Sequence, residues 1–261
     1  IAYGSALGST TKRFVLDANS RISLGNNDSS GATSNTVFGR LAGNAIASGA
    51  IDNVLIGNEA GNDITTGDYN VAIGANALEK EDVGRASIAI GAVALGLQNT
   101  ASEGSANNIG IGVNAGVYNV TGTNNTLIGA NVAVGSSGNS HSNNTAVGSK
   151  AMYDITTGSN NVAIGKESAQ NLTDGVENVI IGDGAGQTTT SVHDVVVIGR
   201  GAMQNGNVTN DADGTVAVGY KSLEALTSGG KCVAVGHLAG SQITTGDSNV
   251  ALGHNAMDEI T

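Results

Sequence analysis

From Asn70 the chain reads Asn-Val-Ala-Ile-Gly, one polar residue, three apolar ones and a glycine, and this phrase returns with substitutions along nearly the whole sequence. Its closing glycines are Gly39, Gly57, Gly74, Gly91, Gly112, Gly129, Gly148, Gly165, Gly182, Gly199, Gly219, Gly236 and Gly253, with a weaker copy ending at Gly25. Counted from Gly25, eight of the thirteen spacings are 17 residues, and the others (14, 18, 21, 19 and 20) read as one deletion and several loop insertions. A period this persistent predicts a stack of identical coils rather than a globule. Two residues before the glycine stands an apolar or small residue in every copy, and one further back always Val, Ile or Thr. Three consecutive apolar positions rich in β-branched residues predict a short strand, and the missing apolar–polar alternation implies that both of its faces are covered.

The other columns complete the coil. Three residues after the glycine the column is Ala in ten of thirteen copies, which implies close approach between neighbouring coils. Polar turns follow, such as Ile64-Thr65-Thr66-Gly67 and Ile155-Thr156-Thr157-Gly158, where glycine is expected to supply backbone angles that other residues resist. The first strand position is Asn in nine of thirteen copies, including Asn53, Asn70, Asn108, Asn125, Asn144, Asn161, Asn178 and Asn249. Stacked coils would place these amides above one another as a ladder whose donors and acceptors satisfy each other. The fold class is therefore all-β: a parallel β-solenoid of about fourteen coils and roughly 65 Å at ~4.8 Å per strand. Residues 1–34 read as a lead-in and capping segment with a weak first coil, and 35–261 as the repeat array.

If Val71 and Ile73 point into the coil, Ala72 points out, and the outward column forms a continuous apolar stripe. Burying it calls for parallel self-association, with Ala72, Ala89, Ala146, Ala163, Ala217, Ala234 and Ala251 on a common trimer axis.

Composition narrows the function. The 261 residues include 40 Gly, no Pro, no Trp, 2 Phe and 5 Tyr, a composition unlike that of most enzyme folds. A net charge of −11 without any basic run argues against nucleic acid as a partner. No apolar stretch is long enough for membrane insertion as a helix. The chain starts at Ile1 without a signal-peptide pattern and stops inside a turn at Asp258-Glu259-Ile260-Thr261, so it reads as an excised piece cut mid-repeat.

The phrase Asn-Val-Ala-Ile-Gly-x-x-Ala resembles the repeat in the heads of trimeric autotransporter adhesins, a resemblance that implies a left-handed parallel β-roll assembled as a homotrimer. The longer 17-residue form, as in Asn144-Thr145-Ala146-Val147-Gly148-Ser149-Lys150-Ala151-Met152 with its Ile155-Thr156-Thr157-Gly158 turn, is similar to repeats of bacteriophage tail-fibre proteins, particularly marine ones. The segment Ser20-Arg21-Ile22-Ser23-Leu24-Gly25 and its continuation to Gly31 is similar to the lead-in of those arrays. These resemblances imply a shaft segment of a viral tail fibre, located on the virion, that supports host attachment. Its partners would be other tail-fibre or baseplate components and, at the attachment end, a host cell-surface glycan or protein. The alternative is the head of a bacterial trimeric adhesin at the cell surface that binds host or matrix protein. An ice-binding solenoid would need ranks of exposed Thr, whereas Thr here lies chiefly in turns.

No catalytic constellation and no cofactor or metal site emerges. Gly110-Ile111-Gly112-Val113-Asn114-Ala115 fits the loose dinucleotide fingerprint, but Gly112 and Ala115 are ordinary column residues. His237 and His254 share the column after the closing glycine, one coil apart, and could hold an ion or sense pH. That column also holds Arg40, Lys166, Asp183 and Tyr220, so they read as solvated residues. Asp68 and Asp247 follow turn glycines and are expected to bond their own backbone rather than calcium. Cys232, the single cysteine, replaces a ladder Asn where a small buried thiol fits. Inserted loops at 95–107, 134–143 and 203–214 are the places where the chain would protrude.

Overall fold

The computed structural model describes residues 34–258 apart from 48, 101–103, 207 and 209, together with two short strands, Val15–Leu16 and Ile22–Ser23. Thirteen parallel strands of three residues, from Thr36–Phe38 to Val250–Leu252, form one sheet in strict chain order. Each pairs in register with the next, as Val162, Ala163 and Ile164 do with Val179, Ile180 and Ile181. The chain is thus a β-solenoid whose sheet spans roughly 58 Å at ~4.8 Å per strand. Ile22–Ser23 does not join it but pairs antiparallel with Val15–Leu16, so the regular stack starts one copy later than the sequence pattern suggests. Gly25 itself lies outside the described residues.

Each coil turns through left-handed backbone at three recurring places: the residue before the ladder position, and the second and fourth residues after the closing glycine. Tyr69 (φ 59°), Asn76 (57°) and Leu78 (50°) are one such set. Even β-branched Val93 adopts φ 58°. Such angles are costly for most side chains and persist where the surroundings over-determine them. Here the coil above does so: the backbone N–H of Asn76 donates to Asn58 and that of Tyr69 to Ile51, at 2.8 and 3.1 Å.

Glycine closes the strand for two reasons acting together. Gly74 has φ 138°, and a Cβ there would meet the carbonyl oxygen of Gly91 at 2.5 Å. Gly67 in the polar turn is different. Its φ is not left-handed, but a Cβ would sit 2.5 Å from the carbonyl oxygen of Gly84. The turn glycine is therefore required by the close approach of the next coil, not by unusual backbone angles as the sequence suggested.

The strands' inside–outside phase also departs from expectation. Ala72, Ala89, Ala146, Ala163, Ala217, Ala234 and Ala251 are at most 1% exposed within their own chain. They line the coil interior and cannot form a trimer axis. The ladder explains why: side chains alternate faces along a strand, so a buried Asn70 sends Val71 out, Ala72 in and Ile73 out. The core is built from this Ala column, from the Ala and Leu or Met columns such as Ala77 and Leu78, and from turn residues such as Ile64 and Ile155.

Candidate functional site

Inside, the Asn residues form a hydrogen-bonded column. The amide of Asn161 donates to the side-chain oxygen of Asn144 (3.1 Å) and to the carbonyl of Gly175 (2.8 Å), while its backbone N–H donates to the Asn144 side chain at 3.0 Å. Asn178 repeats this on Asn161 and Val192. Asn53, Asn70, Asn108, Asn125 and Asn144 are buried in the same column, and Asn249 resumes it half-buried in the last coil. Where Cys232 stands instead, its thiol donates to the Gly246 carbonyl at 3.1 Å, reaching fourteen residues ahead as the amides do.

Two insertions each turn part of their length inward, while Gly104, Ser105, Ser136, Ser137 and Gly138 stay exposed. Ser87 is too short for the ladder, and Gln98 from the 95–107 insertion takes over, donating to the Ser87 hydroxyl (2.9 Å) and accepting from Asn108 (2.9 Å). The same insertion supplies donors to the fully buried Glu81 carboxylate, from the Gln98 amide at 2.6 Å and from the N–H and hydroxyl of Thr100 at 3.2 and 3.0 Å. The insertion at 134–143 buries His141, whose carbonyl accepts from Asn125 at 2.8 Å. Its Nδ1 faces the Asn125 side-chain oxygen at 3.3 Å, while Nε2 has no hydrogen-bond partner. Burial drives the imidazole pKa down to about 4, opposed by the backbone of Ala133. From 203–214, Asp213 accepts the N–H of His193 at 2.8 Å. An insertion that closes a gap in the polar core leaves no sequence signature, because its Ser, Asn and Gly content is that of any loop.

Asp68 and Asp247 do not cap their own turns. Their carboxylates accept the N–H groups of Ile51 and Gly230, each seventeen residues earlier, at 2.9 Å. Among the described residues no group of three or more His, Cys, Asp or Glu side chains is placed to hold a metal ion. The Gly110–Gly112 segment opens no helix: Gly110 lies in the strand Ile109–Ile111, which Gly112 closes, and Gly110 leaves room for Leu95, which a Cβ would approach to 2.7 Å.

Outside, two features stand apart. The first and third residues of the three-residue strands, one and three places after the Asn column, form two adjoining columns of Val, Ile, Leu, Phe and Thr that run the length of the sheet and stay partly exposed in the single chain, with Ile164 at 39% and Val235 at 40%. Beside them, the column after the closing glycine ends in a ring stack. Tyr220 and His237 lie 5.0 Å apart, as do His237 and His254, and the Arg200 guanidinium caps the Tyr220 ring at 5.1 Å. Stacked face to face, the two imidazoles lie over one another rather than converging on a common point. No protein-family model and no curated protein matches this chain.

Proposed function

We propose that the chain is a non-catalytic shaft segment of a homotrimeric fibre, which holds a host-attachment end away from the body that carries it. The observation that carries this reading is the outward face of the sheet. Two columns that are apolar in all thirteen strands except at Thr36, Thr126 and Thr145 would expose a long greasy stripe, far beyond the scattered apolar residues of an ordinary surface. Parallel copies in register bury it, since each coil offers its neighbour the same residues. The axis belongs to the Val and Ile columns, not to the alanines. Threefold closure, the viral tail fibre as setting, and fibre or baseplate components as neighbours rest on the resemblance of the repeat.

Two substitutions on neighbouring residues test the assembly. The unmutated segment should have a solution mass near three times the 25.7 kDa chain. Ile164→Glu, on the outward face, should give a folded monomer, because it places like charges in the shared interface. Ala163→Glu should unfold the coil, because its carboxylate would be buried without a partner inside one chain. A monomeric unmutated segment, or an Ile164→Glu variant that still assembles, overturns the reading.

A further inference from the structure

Eleven of the thirteen coils carry a side chain at the second residue after the closing glycine, from Leu41, Glu59 and Asn76 to Asn255. Two adjacent coils carry none, Gly184 and Gly201, and the ladder of side chains is broken there. The break opens a cleft of about 260 Å³ whose floor is the buried backbone of these two glycines. Lys166, Asp183 and Arg200 stand on one side in the neighbouring column, Gln204 on the other, and Lys221 closes the next coil.

Three of the chain's 11 Lys and Arg residues thus gather around one cleft in a protein of net charge −11. They are not equally available. Lys166 pairs with Glu167 at 3.2 Å and Lys221 with Glu224 at 2.8 Å, the latter contact holding the ammonium pKa above its ordinary value. The exposed Arg200 guanidinium touches the Tyr220 hydroxyl at 3.3 Å and has no carboxylate partner among the described residues. The guanidinium centre lies over the Tyr220 ring, and the donors that the Tyr220 hydroxyl does not engage are left for an anion such as a carboxylate. The rest of the lining mixes acceptors, the Asp183 carboxylate, the Glu167 carboxylate already paired with Lys166, and the Gln204 amide oxygen, with the donors of Lys166 and Lys221. Groups that both donate and accept, as hydroxyls do, match such a lining, whereas an apolar ligand gains nothing from it. The volume falls below the range of about 300–1,000 Å³ typical of drug-sized ligands and suits a single small ring.

We infer that the cleft over Gly184 and Gly201 binds one carboxylate-bearing sugar unit, its carboxylate on Arg200 and its hydroxyls on Asp183 and Gln204. This goes beyond a spacer role, because it gives the shaft a recognition site of its own.

The decisive variant is Gly201→Asn. Asn occupies this column at Asn76, Asn114, Asn131 and Asn255 with φ between 53 and 57°, close to the 68° of Gly201, and the atoms its Cβ would crowd belong to the flexible side chains of Gln204 and Lys221. The substitution fills the cleft while keeping the coil. Binding is read by isothermal titration of the assembled protein with D-glucuronate, D-glucose and inorganic phosphate. Glucuronate should bind, glucose about tenfold more weakly or not at all, and both Gly201→Asn and Arg200→Gln should weaken glucuronate by about tenfold or more with unchanged thermal melting. Phosphate binding as tight as glucuronate overturns the sugar assignment, and glucuronate binding untouched by both variants overturns the site. A monomer that binds glucuronate through these residues would sink the fibre reading and leave the cleft intact. An assembled fibre that binds no glucuronate would do the reverse.

Discussion

His141 is the residue whose chemistry the fold changes most. Its imidazole is enclosed beside the amides of Asn125 and Asn144, and burial lowers its pKa from 6.5 to about 4. A group that titrates lower in the folded chain than in the unfolded one stabilises the fold above the unfolded pKa and loses that contribution as pH falls. Stability should therefore be complete above about pH 6.5 and decline towards pH 4, by about 3 kcal/mol per chain. Denaturant unfolding at pH 7 and pH 4 checks this. A His141→Leu variant should lose that part of the pH dependence while the carboxylates keep theirs, and an unchanged difference between the two pH values would refute the assignment. The exposed imidazoles of His237 and His254 are in a different position, stacked at the surface with water within reach.

The coil is the unit in which stability is organised, and its contacts run almost entirely to the coil before and the coil after. Backbone N–H groups, ladder amides and turn carboxylates all reach seventeen residues along the chain, as in Asn161 to Asn144 and Gly230 to Asp247. Removal of residues 149–165 deletes one whole repeat and joins Gly148 to Lys166 with every column preserved. Such a chain should fold, assemble and be shorter by about one strand spacing, ~4.8 Å. Deletion of eight residues, 149–156, should put Ala169 in the Asn column, Asn171 in the strand Ala column and Thr173 at the closing-glycine position, and prevent folding. Circular dichroism and the mass of the two products distinguish these outcomes, and an eight-residue deletion that folds normally would contradict coil-by-coil stacking. The insertions qualify the rule: a trim of residues 95–107 to regular length that includes Gln98 or Thr100 removes donors of buried Glu81.

On the scale of the whole molecule, the chain stacks its polar column inside and leaves one apolar face partly exposed. Its Asn column closes on itself, whereas Phe38, Val250 and Leu252 are 60% exposed or more at the two ends of the sheet. If copies cover this face, folding and association are linked, and the melting temperature should rise with chain concentration, because assembly stabilises only the folded form. Scans over a hundredfold range of concentration read this directly. The Ile164→Glu variant should melt at one temperature throughout. A concentration-independent melt for the unmutated protein would leave the apolar face without a partner of its own kind.

The seventeen-residue period, the short parallel strands, the Asn column and the obligatory closing glycine follow from the sequence alone, since each is a property of one coil repeated many times. The phase of the strand does not. Read locally, Val71 and Ile73 are the residues to bury, and only the enclosure of Asn70 by its neighbours in the stack reverses the choice and turns Ala72 inward. Gly67 is similar: its necessity comes from a carbonyl of the next coil, which no turn rule includes. Insertions that look like solvated loops are drawn inward at Gln98 and His141 because a missing ladder residue leaves space and unpaired donors beside them. The cleft over Gly184 and Gly201 likewise exists only when two glycines seventeen residues apart become neighbours. Sequence fixes what each coil can be, and stacking decides what each residue faces, because the partners of nearly every group lie one full turn away along the chain.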